Sequence, residues 1–242
     1  MKLIRTLIIF FTLMMLWQAI VDEWQIPIYL LPSPQLVLMT LYHQSNVIGM
    51  HALSTFLETI TGFMLGILFG MFAAIVMVFL RPLALWFLPI LIMSQAIPTF
   101  AIAPLLVIWL GYGYTSKIVT ALLMIFFPVT STFYDGLRQV NKEWLDLAKT
   151  MNASRWRTFW FICFPAALPH LAAGIRIAAV IAPIGAIVGE WVGSSSGLGY
   201  LMLNANARLQ IDMMFAALMV IIALALLLYF TTDKLLRIFV WW

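Results

Sequence analysis

The chain has 242 residues, of which 64% are hydrophobic, and its mean hydropathy is +1.06. A soluble domain of that length is nearer half apolar and cannot bury so much apolar surface, so the natural solvent is a bilayer. The net charge of +4 is not gathered into a basic run, which excludes nucleic acid as a reasonable partner, and the single cysteine, Cys163, excludes an internal disulfide.

The N-terminus reads MKLIRTLIIFFTLMMLWQAIV. Lys2 and Arg5 before an apolar core resemble a signal peptide, but the apolar stretch runs from Leu3 to Val21 with no small-x-small cleavage site after it, so it reads as an uncleaved first span. Asp22 to Asn46 is mostly polar and irregular, broken by Pro27, Pro32 and Pro34. Ile28 to Pro34 is expected at the outer surface, followed by a short amphipathic helix. A spanning helix needs about 20 apolar residues. The second span is placed at about 52–80 and carries Gly62, Gly66 and Gly70, each four apart. That spacing puts three small residues on one helix face, where another helix can approach closely. Glu58 lies one turn before Gly62 on the same face. Arg81-Pro82 reads as a turn. The third span, about 83–110, contains Pro89, Pro98 and Pro104, and the fourth, about 116–136, contains Pro128.

Residues 141–169, NKEWLDLAKTMNASRWRTFWFICFPAALP, form the only long segment dense in charge in a chain that is 9% charged. Glu143, Asp146, Lys149, Arg155 and Arg157 alternate with apolar residues at helical spacing, including Trp144, Leu147, Ala148 and Met151. The pattern predicts two short amphipathic helices. Asn152 tolerates the left-handed conformation between them, Ala153 follows, and Ser154 is a good N-cap for the second. Pro165 and Pro169 are expected to stop that second helix. A fifth span at about 171–192 carries Pro183, Gly193 to Tyr200 reads as a loop, and a sixth span covers about 213–231.

Six spans put both termini on one side. Of the 13 Lys and Arg, only Lys117 and Arg208 fall on the other side, so the termini and 141–169 are expected in the cytoplasm. The ten Trp and seven Tyr suit belts at the lipid interface.

Two ionisable residues sit inside spans, Glu58 and Glu190. Either lines a translocation path or binds a substrate amine, or else makes a helix–helix hydrogen bond or is a protonated acid. Gln95 and Thr99 flank Pro98, which frees backbone carbonyls, and are further path candidates. No G-x-x-x-x-G-K-[ST] phosphate loop and no H-E-x-x-H metal motif occurs. Gly193-Ser194-Ser195-Ser196-Gly197 satisfies G-x-S-x-G but follows a membrane helix instead of a strand, and His170 sits about 30 Å away at that helix's far end. His43 and His51 have no acid at catalytic spacing. No enzyme and no metal site are expected.

The 141–169 segment resembles the cytoplasmic loop of ABC-importer permeases, whose pattern is E-A-A-x-x-x-G followed some nine residues later by I-x-x-P. Asp146-Leu147-Ala148 stands at E-A-A, Asn152 at the glycine and Ile162 to Pro165 at I-x-x-P. Leu31 to Pro34, Trp109 to Gly113 and Gly193 to Tyr200 are similar to permeases of the nitrate, sulfonate, taurine and thiamine-precursor importers. Ala182 to Gly193 and Leu203 to Arg208 look most like permeases for the thiamine pyrimidine precursor, hydroxymethylpyrimidine or its formylamino relative. The resemblance implies an all-α polytopic membrane protein of the type I importer fold, one transmembrane domain over 1–242. It makes 141–169 the coupling segment, with Glu143, Asp146, Leu147, Ala148, Met151, Asn152, Ala153, Ser154, Arg155 and Pro165 meeting an ATPase subunit. It also implies a second permease copy, two ATP-binding subunits that hold ATP and Mg, a periplasmic or extracellular substrate-binding protein and a bacterial inner membrane. A sulfonate, taurine or nitrate importer is the alternative substrate class, and a stand-alone channel or secondary transporter the alternative mechanism.

Overall fold

The computed structural model describes residues 2–240, and every regular element among them is helical. α1 (Lys2–Glu23) covers the expected first span. α2 (Pro34–His43) starts on Ser33, whose hydroxyl accepts from the Leu36 N–H at 3.3 Å, with Pro34 at the first helical position where its missing N–H costs nothing. α3 (Ser45–Phe79) is 35 residues long, about 50 Å, and outreaches the hydrocarbon core. α4 (Arg81–Ala96) and α5 (Thr99–Leu110) follow. α6 (Tyr114–Arg138) leads to α7 (Lys142–Thr150) and α8 (Arg155–Thr158). α9 (Phe164–Gly193), α10 (Leu198–Ala207) and α11 (Ile211–Phe239) complete the chain.

Among the described residues, four helical stretches are long and apolar enough to span a membrane: Ser45–Phe79, Tyr114–Arg138, Arg155–Gly193 and Ile211–Phe239. They overlap the second, fourth, fifth and sixth predicted spans, the stretch over the fifth starting well before it, at Arg155. The third does not form as one helix. α4 and α5 meet at a 103° bend at Ile97-Pro98, and only as a bent pair would they count as a fifth span. The cause is local: Ile97 is extended, as the residue before a proline prefers, and Pro98 has no N–H to continue the ladder.

The core is a three-helix sandwich of α3, α6 and α9. Phe63, Ile125, Val129, Phe133, Ala178 and Ala182 fill it. The glycine stripe is its seam. A Cβ at Gly62 would meet the Ala121 side chain at 2.6 Å, one at Gly66 would meet Ile125 at 2.6 Å, and one at Gly70 would meet Val129 at 3.0 Å. A second cluster at one end joins α2, α10 and α11 through Val37, Leu198, Leu201, Ala216 and Ile221. There the expected loop Gly193 to Tyr200 is shorter than read, because α10 begins at Leu198.

A second correction concerns Pro165 and Pro169. They do not stop the helix that begins at Arg155, which runs on to Gly193. Pro165 cannot donate to the carbonyl four residues before it. The chain widens into a π-turn at Phe159–Cys163, where Phe164 N–H bonds to the Phe159 carbonyl. That one-residue widening just ahead of Pro165 lets the helix pass the proline.

Candidate functional site

Two places carry chemistry-bearing residues, at opposite ends of α6. The first is the turn in 141–169. Asn141 caps α7 by accepting from Glu143 N–H at 3.0 Å. At the other end Asn152 has φ 58°, Asn152 N–H donates to the Lys149 carbonyl at 2.9 Å, and Ala153 N–H donates to the Ala148 carbonyl at 2.9 Å. Those two bonds are the 5→2 and 6→1 pair of a Schellman cap, with Asn152 at the left-handed position. Ser154 then caps α8 by accepting from Arg157 N–H at 3.3 Å. The sequence reading of this turn is met at each position.

What holds the turn to the bundle is aromatic. Phe79, at the end of α3, packs on Trp156 and Phe159 with ring centroids 4.9 and 4.8 Å away. Ala148 is buried, whereas Trp144, Leu147 and Met151 are exposed. Glu143, Asp146, Asn152, Ser154 and Arg155 are exposed, and Ala153 and Pro165 half-buried. Asp146 pairs with Lys149 at 2.7 Å in solvent. An apolar cavity of about 400 Å³ opens between Trp144, Leu147, Phe161, Ile162, Pro165 and Ala166.

The second place is a buried polar cluster. Glu58 forms an ion pair with Lys117 at 2.6 Å, their side chains 1% and 4% exposed. Ser54 donates to the same carboxylate at 3.0 Å, and its hydroxyl is 3.1 Å from that of Ser196. Glu58 thus ties α3 to α6. In the sequence Lys117 reads only as an outer-side charge. The signal for its role was there: an ammonium in the first turn of an apolar span is costly unless paired. Glu190 is a staple for the segment after α9. It accepts from the Thr55 hydroxyl at 2.6 Å and from Gly199 N–H at 2.5 Å. Thr55 in turn accepts from Leu198 N–H at 2.7 Å, and His51 Nδ1 accepts from Gly197 N–H at 3.0 Å. Gly197 has φ +108°, and a Cβ there would run into the Glu190 carboxyl. Gln95 and Thr99 stay apart from this cluster, at the α4–α5 bend, with Gln95 exposed and Thr99 half-buried. Beside Glu58 and Lys117 lies a cavity of about 350 Å³, walled by Ser54, Tyr112 to Tyr114 and Gly193 to Ser196.

The family of binding-protein-dependent transport system inner membrane components matches residues 66–240. The chain belongs to that family. As one of these inner membrane components it is a multi-pass permease subunit of an ABC importer, and not itself an enzyme. It is 51% identical over 240 residues to a probable ABC transporter permease of Haemophilus influenzae, covering 99% of this chain and 98% of that one. It is 34% identical to the formylaminopyrimidine transport permease ThiX of Halalkalibacterium halodurans, over 96% of this chain and 93% of that one. A putative aliphatic sulfonates permease, SsuC of Bacillus subtilis, is 30% identical over 85% of this chain and 75% of its own length. Among solved structures, the inward-facing MetNI methionine ABC transporter superposes with a TM-score of 0.62, 18% identity, and coverage of 82% of this chain and 96% of that one. The permease therefore has the type I importer fold.

Proposed function

We propose that this permease works as one of two copies around a shared path, with two ATP-binding subunits docked on their 141–169 segments and a soluble binding protein delivering solute at the opposite face. ATP and Mg would be held by the docked subunits. Both termini would be cytoplasmic, in keeping with the distribution of Lys and Arg, and 1–242 would act as a single transmembrane domain. Closure of the ATP-binding subunits on nucleotide would draw the two segments together and turn the path outward.

The observation that carries this reading is the 141–169 turn. It is a rigidly capped helix pair, pinned to the ends of the spans by Phe79, with its apolar residues Trp144, Leu147 and Met151 turned to solvent beside an open groove. An apolar face left uncovered on a soluble-side knob suits a protein partner. For the solute, the likeness to ThiX over nearly the full chain supports a thiamine pyrimidine precursor such as hydroxymethylpyrimidine or its formylamino relative. The likeness to SsuC keeps an aliphatic sulfonate as the second reading. The test is reconstitution in proteoliposomes with a candidate ATP-binding subunit and binding protein. ATP-dependent uptake of labelled 4-amino-5-hydroxymethyl-2-methylpyrimidine is expected. Uptake that needs no ATP, or ATP turnover by the permease alone, would overturn the importer assignment. Uptake of ethanesulfonate in its place would move the substrate to the second reading.

A further inference from the structure

We propose that the cavity beside Glu58 and Lys117 recognises a small uncharged nitrogen heteroaromatic bearing an N–H donor, and discriminates against sulfonates. The inference rests on the substrate reading above and deepens it. The cavity holds about 350 Å³, at the small end of ligand pockets and ample for a single ring. Its charged residues are an ion pair that neutralises itself: Lys117 Nζ lies 2.6 Å from Glu58 Oε1, and no other cation among the described residues lines the cavity. A sulfonate needs uncommitted positive charge or several donors. Here the one ammonium is already matched by the Glu58 carboxylate.

The unmet hydrogen-bonding capacity has the opposite sign. Glu58 Oε1 accepts from both Lys117 and Ser54, while Oε2 is buried without a hydrogen-bond partner. A buried acceptor lacking a donor is costly, and a ligand amine that supplies one gains the difference. The hydroxyls of Ser54 and Ser196 sit 3.1 Å apart and can turn to donate or accept as a ring nitrogen or exocyclic group requires. At the mouth, Tyr112 is 85% exposed, a free ring face for stacking. The Tyr114 hydroxyl is engaged with Thr61 at 2.9 Å and with the Leu57 carbonyl at 3.2 Å, which fixes its ring beside the cavity. A planar donor-bearing heterocycle uses all three features; an alkyl sulfonate, with no donor and no ring, uses only the hydroxyls.

The test measures saturable binding of labelled 4-amino-5-hydroxymethyl-2-methylpyrimidine to the detergent-purified complex of permease and ATP-binding subunit, without the binding protein. Tyr112→Ala is expected to weaken binding at least five-fold, about the worth of one lost ring stack. Ethanesulfonate is expected not to compete against wild type, but to compete against Ser195→Arg, which adds an unmatched cation at the exposed rim. Copurification of the ATP-binding subunit and the thermal midpoint confirm that each variant is folded. Glu58→Gln extends the test if it assembles; Tyr112→Ala and Ser195→Arg do not depend on it. Unchanged binding in Tyr112→Ala, or displacement by ethanesulfonate from wild type, overturns the cavity assignment. If proteoliposomes import the pyrimidine while Tyr112→Ala binds it normally, only this site is wrong. If they import ethanesulfonate and no pyrimidine, the substrate reading falls as well.

Discussion

Glu58 and Lys117 illustrate how much a single pair decides in a chain with few charges. Each alone would be an uncompensated ion among apolar helices. Together they fix α6 against α3 at 2.6 Å. Removing one partner strands the other, which typically costs about 3–5 kcal/mol, whereas replacing both with apolar groups of similar size is often neutral. Glu58→Ala is therefore expected to lower the thermal midpoint of the purified permease strongly, and Glu58→Leu with Lys117→Met to regain most of the loss. A double variant as unstable as the single one would mean that the pair does more than satisfy itself. The sequence pointed to Glu58 through its place on the glycine face. It did not point to Lys117 as its partner, because the two are 59 positions apart and nothing local encodes the contact.

At the scale of elements, the glycine stripe was fully legible and the proline effects were not. Spacing by four says which residues share a face, and the structure puts Ala121, Ile125 and Val129 of α6 against Gly62, Gly66 and Gly70. Prolines are harder to read, since their effect depends on what the neighbouring backbone does. Pro98 breaks a span into two helices bent by 103°, while Pro165 is absorbed by a π-turn and Pro169 lies within the helix. All three look alike in sequence. The stripe gives a contrast within one helix. A Cβ at Gly66 would lie 2.6 Å from Ile125, which is fully buried and has nowhere to go, whereas Gly49 in the same helix has nothing within 4 Å. Gly66→Leu is expected to cost about 1–3 kcal/mol by overpacking and to reduce the yield of assembled protein. Gly49→Ala is expected to be neutral or to stabilise by up to about 1 kcal/mol through helix propensity. Thermal midpoints in detergent compare the two; a Gly66→Leu protein that melts with wild type would remove the close α3–α6 contact.

For the whole molecule the question is whether the 141–169 turn transmits work between this chain and an ATP-binding subunit. Its angle is set by backbone alone, through Asn152 at φ 58° and the two bonds to the Lys149 and Ala148 carbonyls. Asn152→Gly should keep uptake near wild type, because glycine enters the left-handed region freely. Asn152→Val should lose it, because a β-branched residue is strained there. Asp146 addresses the contact itself. Its only ion-pair partner among the described residues is Lys149, in solvent at 2.7 Å, and such exposed pairs contribute little to stability. Asp146→Lys thus leaves the spans folded while reversing the charge offered to the partner. The expected outcome is a normal thermal midpoint for the permease, with loss of ATPase copurification or with ATP hydrolysis no longer linked to uptake. Full uptake and copurification in both Asp146→Lys and Asn152→Val would leave the exposed face of α7 without a coupling role, and the force between ATP and the path would have to enter through another part of the surface.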